Sequence, residues 1–380
     1  MSSAGDGRDA PGRSARRVVV KVGSSSVTTP AGDVDVETIG RLAADVAEVV
    51  AAGSVAVVVS SGAIAAGWSS LAPGAPRPGD PATLQAVAAL GQHRLMTEWH
   101  GAFAAAGLLA GQVLLAPLDF VHRSQYVHAR RALAKLLDLG VVPVVNENDV
   151  VADEEIRFGD NDRLAALVAH LIDADLLVLL TDTAGLFTGD PRRTAGAALI
   201  EEVAEIDREL ERVAGGAGTD VGSGGMASKL AAAKMATWSG VETVIADASR
   251  PGVVGQAVAG RAGIGTRFRP RPRRMAARKL WIAFAVGSAG TIEVDEGARR
   301  ALVERGTSLL AAGVVGVRGE FGPDDPVDVA TPGGPAFARG LVRYGADRLA
   351  GGGWRSRGDG TGDGPSVVIH RDDLVILSGL

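Results

Sequence analysis

Lysine and asparagine are scarce in this sequence, so their positions carry information. Five of the 39 basic residues are lysines (Lys21, Lys135, Lys229, Lys234 and Lys279), and the asparagines are Asn146, Asn148 and Asn161, all within 16 consecutive positions. Lys21 opens Lys21-Val22-Gly23-Ser24-Ser25-Ser26 at the end of a β-branched run. A lysine followed by a Gly-Ser turn offers an anion such as phosphate one point charge and several backbone N–H groups. A plain strand end has the same residues. Ser60-Ser61-Gly62-Ala63-Ile64-Ala65-Ala66-Gly67 follows the next run. Its small side chains either admit a ligand to the backbone where a helix begins or serve tight helix–sheet packing.

The densest cluster is Asn146-Glu147-Asn148-Asp149, followed by Gly159-Asp160-Asn161-Asp162-Arg163 at the head of an apolar helix. Turn formation and helix N-capping account for single Asp or Asn residues. They do not account for every asparagine in the chain together with four carboxylates. Such side chains bind an amino group or orient lysines around a phosphate. Thr181-Asp182 ends a buried strand, where open α/β sheets bind ligands, although Asp182 also suits a turn or helix cap. Gly222–Lys229 (GSGGMASK) opens a helix with Lys229 one turn in, a template for holding nucleotide phosphates.

Together these segments describe phosphoryl transfer without a Walker loop, a chemistry of positioned cations and N–H donors. Competing signatures fail on context. His370-Arg371-Asp372 imitates a protein-kinase catalytic loop but lacks the following Asn and a downstream D-F-G. The G-x-G-x-x-A run from Gly222 follows a glycine-rich loop rather than a strand, and no G-x-x-x-x-G-K-[ST] occurs. The six histidines show no metal-ligand spacing.

From residue 17 to about 266, short apolar runs alternate with amphipathic stretches. Strands are predicted at 18–22, 55–60, 108–115, 141–145, 176–181 and 243–246, and helices at 36–50, 83–106, 122–139, 161–172 and 226–239. Continuous apolar strands separated by helices predict an α/β fold, an open, mainly parallel sheet covered by helices on both faces. Residues 267–279 carry seven positive charges, none negative and two prolines, and read as a basic, solvated linker. After it, runs at 292–294, 314–317, 327–329 and 367–369, punctuated by Gly and Pro, predict a small β-rich domain over 280–380. Within that domain residues 351–364 are half glycine and read as a mobile surface loop. The Pro/Gly-rich segment 71–81 is assigned no role.

The chain has 380 residues, 46% of them hydrophobic and 22% charged, an ordinary balance for soluble cores. Apolar runs fall short of the roughly 18 residues that span a bilayer. Residues 1–16 read as a disordered leader without a signal-peptide core. Absence of cysteine excludes a disulfide framework, zinc ribbon or thiol nucleophile and fits a cytoplasmic location. A net charge of −5 argues against a nucleic-acid coat protein. Residues 280–380 hold ten Arg, no Lys and 13 acids, which is not the footprint of an RNA module.

In order and spacing, K-V-G-S-S-S, S-S-G-A-I-A-A-G, V-N-E-N-D, G-D-N-D, L-L-T-D-T-A-G-L-F and G-S-G-G-M-A-S-K resemble the bacterial glutamate 5-kinases, from about residue 17 to the C-terminus. The stretch from V-D-E-G-A onward is similar to that family's PUA domain. The resemblance implies the amino acid kinase fold and ATP-dependent phosphorylation of the γ-carboxylate of L-glutamate, the first step of proline synthesis. It implies that Lys21 contacts ATP phosphates, that Ser61, Asp149 and Asn161 hold glutamate, and that Asp162 aligns Lys21 and Lys229. Thr181, Asp182 and the loop Ser223, Gly224, Gly225, Met226, Ala227, Ser228 and Lys229 would bind the nucleotide, with Mg²⁺ accompanying ATP. Proline is the expected inhibitor, and further copies of the chain and the next enzyme of the pathway are expected partners; RNA and membranes are not. Sister kinases acting on aspartate, N-acetylglutamate or carbamate, and an RNA-binding or regulatory protein, are the rival readings. Two departures, Ser in the turn after Lys21 and Ser223 in the glycine loop, replace a common Thr and keep the hydroxyl.

Overall fold

The computed structural model describes residues 15–120, 123–151, 161–189, 194, 196–215, 225–272, 274–285, 287–350 and 367–377. Most of the leader expected over 1–16, residues 159 and 160, Ser223, Gly224 and the glycine-rich segment 351–364 lie outside them. The first part of the chain runs β1 (Arg17–Val22), α1 (Ser24–Val27), α2 (Val36–Ala51), β2 (Val55–Ser60), α3 (Ala63–Leu71), α4 (Pro81–Ala105), β3 (Leu109–Leu115), α5 (Arg123–Asp138), β4 (Val141–Glu147), α6 (Asn161–Leu171) and β5 (Leu176–Thr181). It continues through β6 (Glu202–Val203), α7 (Arg208–Gly215), α8 (Met226–Trp238), β7 (Glu242–Asp247), α9 (Val253–Val258) and β8 (Gly265–Phe268).

Among the described residues these strands form one eight-stranded sheet in the order β3-β4-β2-β1-β5-β7-β8-β6. The neighbours pair in parallel except β7 with β8. β1 shows why both faces must be covered. Successive side chains of a strand point to opposite faces: Val18, Val20 and Val22 join the core with α2, α4 and α9, while Val19 joins the core with α6 and α8. Lys21 shares the parity of Val19 and so faces the α6/α8 layer.

Local chemistry sets the helix boundaries. Asp35 accepts from Thr38 N at 2.9 Å to start α2, and Asp80 accepts from Thr83 N at 2.9 Å to start α4, with Pro81 in its first turn. α3 and α4 meet backbone to backbone. A Cβ on Gly67 would lie 2.0 Å from Val87 O, and one on Gly91 would lie 1.7 Å from Ala63 O. The glycine-rich run after β2 thus serves packing at Gly67, against a helix rather than the sheet. Its start at Ser61 and Gly62 faces elsewhere.

The six strands read from the sequence are present with ends shifted by at most two residues. The antiparallel β8 and the two-residue edge strand β6 have no counterpart in the sequence reading; such short strands carry too few residues to show a period.

The C-terminal part contains α10 (Ala277–Leu280), a π-helical turn at Trp281–Ala285, β9 (Gly290–Val294), α11 (Glu296–Arg305), β10 (Leu309–Leu310), β11 (Val314–Gly319), β12 (Pro326–Ala330), β13 (Ala336–Leu341), α12 (Ala346–Ala350), β14 (Val367–Ile369) and β15 (Leu374–Ile376). β11-β9-β12-β13-β15 form a five-stranded sheet and β10-β14 a separate pair. The domain is β-rich as expected, with the added helix α11, N-capped through Asp295 and ended by left-handed Gly306.

The basic segment 267–279 differs from a free, solvated linker. Arg267 and Phe268 belong to β8, and five of the arginines are paired. Arg267 meets Glu242, Arg269 meets Glu202, Arg271 meets Glu205, Arg274 meets Asp173 at 2.9 Å and Arg278 meets Asp373 at 2.6 Å. The Arg271 guanidinium also lies 3.8 Å from the Trp238 ring centre, a cation–π contact. The acids come from outside the segment, so its local composition hides the pairing.

Candidate functional site

The chemistry-bearing residues collect at the carboxyl ends of four neighbouring strands, β4, β2, β1 and β5, where open α/β sheets leave a crevice. Register makes this necessary. Lys21 pairs with Val59 and Leu179, Val59 with Val145, and Val22 with Ser60. Lys21, Ser60, Asn146 and Thr181 therefore end their strands close to one level. A cleft of about 420 Å³ opens there, lined among others by Lys21, Ser61, Asn146, Glu147, Asp149, Asn161, Thr181, Asp182 and Lys229.

Its floor is a buried charge triad. Asp162, in the first turn of α6, has no exposed surface, and Lys21 and Lys229 are 2% and 4% exposed. Lys21 Nζ pairs with Asp162 Oδ1, Lys229 Nζ with Oδ2 at 3.2 Å, and Ser228 Oγ donates to Oδ2 at 3.2 Å. Burial pushes the Asp162 carboxyl upward. The charges and hydrogen bonds of the two lysines outweigh it and hold the group below its ordinary value. One anion thus positions two cations, leaving the triad with one net positive charge beside the cleft.

Packing of α6 against both α8 and β1 brings the three side chains together. Sequence positions 21, 162 and 229 meet because one helix, covering the face of the sheet that Lys21 looks toward, carries Asp162 at its start.

Asn161 knits the other wall. Its Nδ2 donates to Ser60 O at 3.1 Å, Ser61 Oγ at 2.9 Å and Asn146 Oδ1 at 2.7 Å. Asn146 in turn donates to Gln92 Oε1 at 2.7 Å. Because a backbone carbonyl can only accept, the contact to Ser60 O fixes which end of the Asn161 amide is nitrogen. Asn161 Oδ1 is left buried without a hydrogen-bond partner among the described residues, an acceptor that a ligand N–H would satisfy. Behind this wall, buried Trp99 donates to Ser60 Oγ at 2.9 Å. Gly62 adopts φ +108° where a Cβ would meet Val27 at 2.9 Å, so the turn after β2 requires glycine.

Most residues singled out from the sequence line this cleft: Lys21, Ser61, Asp149, Asn161, Thr181, Asp182 and Lys229. Asp162 supports it from beneath. Thr181 Oγ1 donates to Asp182 Oδ1 at 3.1 Å, which orients the pair at the end of β5. The glycine loop is less uniform. Gly225 caps α8, Met226 packs against the core, Ala227 is exposed, and Ser228 acts on Asp162; none of these four is in the lining. Asn148 also stands outside it, its carbonyl accepting from Val151 N at 3.1 Å in a turn.

Sequence reasoning missed Arg77, which lines the cleft from the loop between α3 and α4. A lone cation in a Pro/Gly-rich connector was the available signal, too weak without knowing where that connector lies. Gln92, which orients Asn146 from α4, carried no sequence signal. Among the described residues no three His, Cys, Asp or Glu side chains group to hold a metal ion, and no helix is long and apolar enough to cross a membrane.

Comparison with known proteins gives two family matches. The model described as "Amino acid kinase family" matches residues 16–247, and the PUA domain model matches residues 290–351. Full-length relatives include the glutamate 5-kinase of Myxococcus xanthus, 46% identical and covering 99% of this chain and 100% of the relative. That of Salinispora arenicola is 49% identical, covering 96% and 98%. That of Moorella thermoacetica is 44% identical, covering 96% and 97%.

Proposed function

The chain belongs to the amino acid kinase family, in its glutamate 5-kinase branch, and from that premise we propose that it transfers the γ-phosphoryl group of ATP to the γ-carboxylate of L-glutamate. The product, L-glutamyl 5-phosphate, would open proline synthesis in the cytoplasm. The observation that carries this reading is the buried triad, two lysines on one aspartate beside a cleft also lined by acids and amides.

The chemistry needs little covalent help. A glutamate side-chain carboxylate has a pKa near 4.3 and is already the nucleophile at neutral pH. Its oxygen attacks the γ-phosphorus, the bond from that phosphorus to the β,γ-bridging oxygen breaks, and ADP leaves with the electron pair. No proton has to move, so the step requires no general base.

The difficulty is to bring one anion against another. Lys21 and Lys229 would face the phosphates and offset the charge that spreads over them in the transition state, and Asp162 keeps both ammonium groups in place beforehand. Mg²⁺ enters as MgATP, with phosphate oxygens and water as its main ligands. Thr181, Asp182 and the segment 223–229 would bind the nucleotide, while Ser61, Asp149 and Asn161 would hold glutamate. The buried Asn161 Oδ1 suits the substrate ammonium group.

Proline carries the same α-carboxylate on a cyclised skeleton and would compete on the glutamate side as a feedback inhibitor. The reading also includes a homo-oligomer, direct passage of the labile acyl phosphate to the next enzyme, and a kinase unit (17–266) joined through 267–279 to a PUA-like unit (280–380).

The test is hydroxamate formation by purified protein with MgATP and hydroxylamine, using L-glutamate, L-aspartate and N-acetylglutamate in turn. Colour with glutamate alone, suppressed by proline, is expected. Colour with another acceptor would overturn the substrate, and none with any acceptor from folded protein would overturn the kinase.

A further inference from the structure

The cleft contains a third cation that the phosphoryl chemistry does not use. Arg77 is exposed and makes no ion pair or hydrogen bond among the described residues, whereas Lys21 and Lys229 are both committed to Asp162. Its loop is built to stay in place. Trp68 Nε1 donates to Ala75 O at 2.9 Å, Ala75 N donates to Ala72 O at 3.1 Å, and Asp80 ends the loop as the N-cap of α4. The flanking helices are locked by the close approach at Gly67 and Gly91.

The lining holds three cations, Lys21, Lys229 and Arg77, and three acids, Glu147, Asp149 and Asp182. The phosphoryl end has the two lysines, and Glu147 and Asp149 extend from the end of β4. A free amino acid whose side-chain carboxylate points at the γ-phosphate presents two further charges, an ammonium and an α-carboxylate. The acids and Asn161 Oδ1 suit the ammonium. The α-carboxylate requires a cation not already held by Asp162, and a guanidinium binds a carboxylate through two parallel N–H donors.

Resting on the reading of this cleft as an amino acid kinase site, we propose that Arg77 recognises the α-carboxylate of the acceptor and thereby selects a free α-amino acid over ω-amino acids. It acts in binding, with no part in the transferring phosphoryl group.

The test crosses Arg77→Ala and Arg77→Lys with substrate and two competitive inhibitors. Glutarate keeps both carboxylates and lacks the ammonium; 4-aminobutyrate keeps the ammonium and lacks the α-carboxylate. A charged hydrogen-bonded contact is worth about 1.5–3 kcal/mol, so in Arg77→Ala the KM for glutamate and the Ki for glutarate should both rise about 10- to 100-fold. The Ki for 4-aminobutyrate should not move, kcat should change far less than KM, and Arg77→Lys should recover part of the loss. An equal loss for both inhibitors, or an unchanged glutamate KM, overturns the role of Arg77. Should the analogues inhibit too weakly to measure, the glutamate KM alone decides on the same terms. Failure of the wild type to phosphorylate glutamate would instead strike the underlying reading, so the two failures are distinct.

Discussion

Replacing Asp162 by Asn removes one charge from a fully buried position while keeping its shape, and two cations lose their common partner. At 3.2 Å the Lys229 pair alone has an attraction of about 5 kcal/mol at an effective dielectric constant of about 20. The cost of taking the ions out of water offsets much of that, and deleting one partner of a buried pair costs about 3–5 kcal/mol in net stability. The kinetic effect follows from position. Without Oδ1 and Oδ2 as anionic anchors the two ammonium groups separate and shift, and a displacement of about 1 Å in a reacting arrangement costs on the order of 100-fold in rate.

Comparing turnover with folding distinguishes this cause from simple unfolding. Turnover of Asp162→Asn should fall on the order of 100-fold, measured as hydroxamate release at saturating MgATP, at a temperature where thermal melts show the variant still folded. A folded variant with wild-type turnover would refute the role given to Asp162.

Other consequences can be measured independently. Lys229→Ala should lower kcat by about 100-fold or more while changing the glutamate KM little, because the lysine acts on developing charge; near-wild-type turnover would remove it from the mechanism. Gly91→Ala places a methyl group against the carbonyl of Ala63, overpacking that costs roughly 1–3 kcal/mol, and should lower Tm by several degrees while raising the glutamate KM through the displaced Arg77 loop. His170 is driven down to about 4 by burial and by the charges of Arg274 and Arg130, against the opposing pull of Asp173. The unfolded chain therefore binds the proton first as pH falls below 6.5, and stability drops by about 2 kcal/mol between pH 7.5 and 5. His170→Gln should flatten that part of the stability curve; an unchanged slope would place the acid sensitivity elsewhere.

The sheet was legible because its central strands are buried on both faces. β5 contains only apolar residues before Thr181, and β1 has three consecutive valines before Lys21. Such runs admit few alternatives once helices separate them. The site was legible to a similar depth where rare residue types met strand ends. Lys21 and Asn161 sit at such an end or open the next helix, and the depletion of Lys and Asn elsewhere made them stand out; Thr181 was marked by its place at the end of a buried strand.

What escaped depends on contacts distant in sequence. Arg77 gains meaning when the α3–α4 packing brings its loop to the end of β4, and nothing local encodes that approach. Residues 267–279 read as a solvated linker because the acids that pair five of its arginines, Glu202, Glu205, Glu242, Asp173 and Asp373, lie outside the segment. The short strands β6 and β8 were hidden by their shortness, and Gln92 by its unremarkable helix.

The central claim, attack of a substrate carboxylate on the γ-phosphorus beside the triad, is tested most directly by following the oxygen atom. L-Glutamate bearing heavy oxygen in its γ-carboxylate is turned over with MgATP and hydroxylamine, and the released phosphate is examined by phosphorus NMR. Hydroxylamine attacks the acyl carbon and expels phosphate with the bridging oxygen attached, so phosphate carrying one heavy oxygen is expected in step with ADP formation. Unlabelled phosphate released in step with ADP would mean that water is the acceptor, and would contradict carboxylate phosphorylation in this cleft.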